Sequence, residues 1–347
     1  MAAPSRRRRP GTRRSEPGER GLTMYLRHFF LREAPFSITP DPAFFYLHDG
    51  AQAALNTLLV ALRSGEGFLK IVGEVGCGKT VLCRQLLQTL QAECVTAYIP
   101  NPDMGPDDLL LALAGELGVA VTAPHSRYQI LAALRDALLQ HAEAGRRVVV
   151  CIDEAQAIPL RTVESLRLLS NLETEKQKLL QLVLLGQPEL DARLARPEIR
   201  QLRQRITFSE HLGPLSMDAV PAYLEYRLTM AAEDELTDVK LFDAAAARAL
   251  GQYSGGVPRL LNVLAHKSLL LVFGENGRQV QVRHVRLAAA DTPGVQAPPS
   301  WWQRLSGRWA KQKENAASAP DTSRDTAWQD TQPLYDHEAG PTGGGRA

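Results

Sequence analysis

The sequence predicts an α/β fold: a parallel five-stranded sheet with flanking helices, followed by a small all-helical lid. Three observations carry this expectation. Short apolar runs alternate with helical patterns as far as His211, the order in which crossover helices join parallel strands. The first run, Phe68-Leu69-Lys70-Ile71-Val72, opens directly into Gly73-Glu74-Val75-Gly76-Cys77-Gly78-Lys79-Thr80. Beyond Gly213-Pro214 only helical patterns remain.

Gly73 to Thr80 reads G-x-x-x-x-G-K-[ST], a Walker A phosphate-binding loop, and the pattern has a mechanism. Glycines let successive backbone N–H groups turn inward, so Gly73, Glu74, Val75, Gly76, Cys77 and Gly78 are expected to cradle phosphates with main-chain atoms. Lys79 is expected to reach the β/γ oxygens, and the Thr80 hydroxyl to ligate Mg²⁺. Val81 opens the helix that follows, whose positive end faces the same anion. A glycine-rich turn can match by chance, but the strand before and the amphipathic helix after are the context that the motif demands. ATP with Mg²⁺ is the expected ligand.

Residues 1–23 are rich in Arg, Pro, Gly and Ser and are expected to be a disordered extension, with foldable pattern beginning at Met24. Prolines at 35, 40 and 42 fix an extended segment before a helix over 52–63, placed to pass over an adenine. A second strand is expected over 95–99, then helices over 106–117 and 127–144, and a third, most apolar strand over 147–153. A helix over 160–174, strands over 180–186 and 206–211 and a short arginine-bearing helical stretch between them complete a P-loop NTPase core. Helices near 218–231, 241–251, 257–273 and 282–289 make the lid. The expected parts are therefore a nucleotide-binding domain over 24–213, the lid over 214–291, and a polar, largely unfolded tail over 292–347.

Val148-Val149-Val150-Cys151-Ile152-Asp153-Glu154 is an apolar strand ending in two acids, a Walker B arrangement. Asp153 is expected to hold Mg²⁺ through water, and Glu154 to polarise the water that attacks the γ-phosphate. In the strand order of AAA+ ATPases, the fourth strand brings Gln187 beside these acids, where its amide can touch the γ-phosphate or orient water. Arg203 and Arg205, near Arg200, are candidates for an arginine finger delivered to a neighbouring subunit of a ring; a helix end paired locally with Glu198 or Glu210 is the plainer alternative. Arg259 follows Gly255-Gly256-Val257-Pro258 in the first turn of a lid helix, where a cation opposes the dipole, so a bound anion is expected there.

A net charge of +2 offers no global field for nucleic acid, and no specific nucleic-acid partner is expected. Cys77, Cys83, Cys94 and Cys151 form no C-x-x-C pair, which reads as reduced thiols in the cytoplasm. No stretch approaches the roughly 18 to 20 apolar residues of a membrane-spanning helix.

Together with these elements, strings such as Pro35-Phe36-Ser37-Ile38-Thr39-Pro40, Ala97-Tyr98-Ile99-Pro100-Asn101-Pro102, Asp153-Glu154-Ala155-Gln156-Ala157 and Gly186-Gln187-Pro188-Glu189-Leu190-Asp191 carry a resemblance. From Met24 to Thr292 the chain resembles the AAA+ ATPases of the ExeA/GspA type, nearest to those of MSHA-like type IV pilus biogenesis. The resemblance implies ATP hydrolysis, a homo-oligomeric ring, and pilus or secretion assembly proteins at the inner membrane as partners. Relatives can carry a membrane span and a peptidoglycan-binding part, for which this sequence shows no pattern. Membrane contact is then expected through a partner or through the tail, where Trp301, Trp302 and Trp309 are interleaved with Arg304, Arg308, Lys311 and Lys313. Two other classes share such a core: a DNA-linked AAA+ regulator, and a nucleotide switch with little turnover.

Overall fold

The computed structural model describes residues 17–121, 126–173, 178–233 and 240–295. The tryptophan-rich tail lies outside these residues. In chain order the helices are α1 (Pro17–His28), α2 (Asp49–Arg63), α3 (Lys79–Leu90), α4 (Pro106–Glu116), α5 (Arg127–Glu143), α6 (Leu160–Ser170), α7 (Glu189–Leu194), α8 (Arg200–Arg203), α9 (Ala219–Ala231), α10 (Ala244–Ser254), α11 (Pro258–Gly274) and α12 (Val282–Ala290). The strands are β1 (Phe68–Val72), β2 (Cys94–Ile99), β3 (Arg147–Ile152), β4 (Leu180–Gly186) and β5 (Phe208–His211).

The five strands form one sheet in the order β2-β3-β4-β1-β5, and every neighbouring pair is parallel. Alternation along the strands supplies two apolar faces. Val148, Val150, Ile152, Leu182 and Leu184 face the core shared with α4, α5 and α6. Leu69, Ile71, Val149, Cys151, Val183 and Leu185 face the core shared with α2 and α3. Central β4 is buried at all positions, so its polar Gln181 needs partners. Its amide donates to Leu62 O and Glu66 O, both at 2.8 Å, and so ties the end of α2 to the sheet.

Register decides what meets at the carboxyl ends. Val72 pairs with Gly186, and Ile152 with Leu184, so the loops leaving β1, β3 and β4 emerge along one edge. In parallel sheets that edge is where ligands bind.

A third core belongs to the helical part, where α9 to α12 contribute Val220, Leu224, Leu250, Leu261, Leu264 and Val285. Here the structure departs from the expected boundaries. Tyr25, Phe29, Leu31, Phe36 and Phe44, expected in the nucleotide-binding domain, are buried in this helical core instead. Tyr25 meets Phe29 and Phe273 edge-on, at ring separations of 5.4 and 6.0 Å. The extended segment between Leu31 and His48, called the strap below, therefore links both parts. Helix α1 also starts at Pro17, ahead of the Met24 onset expected from composition. Other boundaries differ by caps: Asp243 accepts the Ala246 N–H at 2.5 Å, so α10 begins at Ala244 rather than 241. Leu241 and Phe242 pack instead into the helical core. Helix α6 ends at Ser170, short of the expected 174.

Candidate active site

The loop between β1 and α3 is shaped by three close approaches. Gly73 donates to Gly186 O at 3.1 Å, and a Cβ on it would stand 2.3 Å from Leu212 O. Gly76 has φ +85°, and a Cβ there would come within 2.6 Å of the Arg259 Cβ. Gly78 caps α3 at φ 96°, a left-handed conformation that glycine adopts without steric cost. Lys79 is buried, and its ammonium donates to Gly73 O at 2.7 Å and Glu74 O at 3.1 Å, which arches it over the loop.

Behind the loop, the Thr80 hydroxyl donates to Asp153 Oδ2 at 2.6 Å. Asp153 is 3% exposed, its other oxygen accepts the Glu154 N–H at 2.9 Å, and its own N–H is spent on Ile99 O at 2.9 Å. Glu154 sits at φ 49°, an unusual conformation for a residue with a side chain, directly after the strand end. Its Oε2 accepts from the Gln187 amide at 3.0 Å and from the Gln156 amide. Burial pushes the Glu154 carboxyl up, but these two amides and the Lys79 charge outweigh it, and the net shift is downward. The group is therefore ionised at neutral pH and can accept a proton.

The loop and Glu154 open onto a cavity of about 330 Å³ lined by Val75 to Val81, Glu154, strap residues 37–41 and 44–46, His48, and Leu215, Tyr223, Arg227, Pro258, Arg259 and Asn262 from the helical part. Arg259 lies in the first turn of α11, and its backbone N–H donates to Gly76 O at 3.2 Å. Arg203 and Arg205 do not line the cavity. Arg203 is exposed on α8.

Three residues of this assembly went unassigned in the sequence. Gln156 joins the two catalytic candidates, because its amide donates to Glu154 while its Oε1 accepts the Gln187 N–H at 3.0 Å. Arg193 fastens that turn by donating to Gln156 O and Ile158 O. Arg227, 7% exposed, donates to Pro35 O at 2.6 Å and to Ser37 O and Phe44 O at 3.2 Å, and lies 4.7 Å from the Phe44 ring centre. Its signal was visible: Arg227 falls on the apolar face of α9 between Val220, Tyr223, Leu224 and Ala231. A cation there must find buried partners.

Residues 62–194 match the family model of the AAA domain. This part of the chain has a P-loop, AAA-like fold. Over 282 residues the chain is 40% identical to general secretion pathway protein A of Aeromonas hydrophila, a match covering 81% of this chain and 51% of the relative. The chain thus spans about half the length of that curated relative. Among solved structures, CDC6P from Pyrobaculum aerophilum aligns with TM-score 0.60 at 16% identity, covering 76% of this chain and 72% of that one. The Aeropyrum pernix ORC2 protein, solved in ADPNP-ADP complexes, aligns with TM-score 0.55 at 18% identity, covering 75% and 73%. At such identities the likeness establishes the AAA fold and nothing finer.

Proposed function

We propose that the AAA domain binds ATP with Mg²⁺ and hydrolyses it to ADP and phosphate, in the service of a secretion or pilus-assembly machine. The observation that carries the chemistry is that Lys79, Thr80 and Glu154 line one cavity, with Asp153 held directly behind the Thr80 hydroxyl. Main-chain N–H groups of Val75, Gly76 and Gly78 and the α3 N-terminus receive the phosphates, with Lys79 neutralising the β/γ oxygens. The expected Gly73 and Cys77 N–H groups are instead engaged by Gly186 O and Glu74 O. Thr80 and Asp153 fit Mg²⁺: both offer hard oxygen donors, and among the described residues no cluster of three or more His, Cys, Asp or Glu forms a cage of its own. That suits a cation that takes one or two protein ligands and fills the rest with phosphate and water oxygens. When bound, Mg²⁺ neutralises charge on the β- and γ-oxygens.

Glu154 accepts a proton from water as the water oxygen bonds to the γ-phosphorus. The bond from that phosphorus to the β–γ bridging oxygen breaks, and ADP leaves with the electron pair. Gln187, held on the same carboxylate, orients water or the γ-phosphate. Arg259 at the cavity reports the phosphate to the lid, and Arg203 or Arg205 completes the site of a neighbouring copy in a homo-oligomeric ring.

The machine is inferred from similarity to general secretion pathway protein A. The subfamily strings of the sequence favour the MSHA-like type IV pilus branch, the MshM type. The proposed place of work is the cytoplasmic face of the inner membrane; among the described residues no helix is long and apolar enough to cross a membrane. Glu154→Gln tests the reading. Turnover should fall at least about 100-fold while ATP is retained, and the ATP-loaded variant should co-purify with its assembly partners. Unchanged turnover would remove Glu154 from the role of base.

A further inference from the structure

The Asp153 carboxylate is held by three donors from three elements. Thr80 of α3 and the Glu154 N–H after β3 account for two; the third is the Tyr98 hydroxyl near the end of β2, 3.1 Å from Asp153 Oδ2. Tyr98 and Thr80 share that oxygen. Of the two side chains on Asp153, Thr80 is itself a candidate ligand of the cation, whereas a phenol at neutral pH is a donor without metal affinity. Tyr98 is fixed in turn. It pairs with Cys151 in the β2–β3 register, and its N–H, on the open edge of β2, donates to Glu116 Oε2 of α4 at 3.1 Å.

We infer that Tyr98 is a positioning residue for Mg²⁺, holding the Asp153 carboxylate in one rotamer at the oxygen that also takes the Thr80 hydroxyl. This rests on the proposed ATP–Mg²⁺ reading and adds to it a residue outside both Walker motifs. Physically, a carboxylate oriented by a neutral donor loses less freedom when it engages a cation, and partners of this kind tune metal affinity.

The test is Tyr98→Phe, which deletes one oxygen and keeps the ring. A fluorescent ADP analogue is titrated onto the full chain in EDTA and again across a Mg²⁺ series. The inference expects unchanged affinity in EDTA, a half-saturating Mg²⁺ concentration raised about tenfold, and no further rise when the substitution is added to Asp153→Asn. An identical Mg²⁺ series in wild type and variant overturns it. So does an equal loss of affinity with and without Mg²⁺, which would mark a purely structural tyrosine. A wild-type chain that ignores Mg²⁺ altogether would instead sink the ATP–Mg²⁺ reading itself.

Discussion

The two ends of the cavity are built in opposite ways. The Walker A end is mostly local: Gly73 to Thr80 follow β1 without interruption, and single residues join them from after β3, after β4 and the first turn of α11. The strap end is assembled from segments distant in sequence, where Arg227 of α9 holds three strap carbonyls and Asn262 of α11 donates to Ser37 O at 3.2 Å. The difference teaches that one end is shaped mainly by backbone geometry, while the other depends on packing between the strap and the helical part.

That contrast can be broken by substitution. Gly76→Ala forces a side chain onto a φ of +85° and into the Arg259 Cβ, so ATP affinity should fall by about 100-fold or more, ~2.7 kcal/mol, in calorimetric titration. Arg227→Ala should act mainly on folding. Leaving buried carbonyls unpaired should cost ~3 kcal/mol in urea unfolding, and Arg227→Lys should recover little, because a single ammonium cannot reproduce the planar fork. If Arg227→Ala were as stable as wild type, the strap end would not be a structural clamp. Tyr223→Phe removes the 2.6 Å bond to Asn262 Oδ1 and should cost ~1 kcal/mol by the same assay. Gln156→Ala should lower kcat about tenfold through misplacement of Glu154 and Gln187, with ATP affinity unmoved. A matching loss of affinity would place Gln156 in binding.

The same contrast explains what was legible in the sequence. The Walker A stretch, the acids after an apolar strand and the amide after Gly186 are contiguous patterns, and their strands appear within one or two residues of the expected limits. Caps shifted the helices where a single side chain decides, as Asp243 does for α10. Tyr98, Gln156 and Arg227 carried weaker signals because their partners lie on other elements. A lone tyrosine near a strand end names no carboxylate until β2 is laid beside β3. The allegiance of Tyr25, Phe29 and Phe36 to the helical core was likewise invisible, since apolar spacing tells that a residue is buried but not against what.

The central claim is that a triphosphate is held by the loop from Gly73 to Thr80, and calorimetric titration of the full chain with ATP and Mg²⁺ tests it most directly. The account predicts saturable binding at one site per chain, and a loss of about 100-fold in affinity in Lys79→Ala. Absent binding in the wild type, or equal binding in Lys79→Ala, would contradict it.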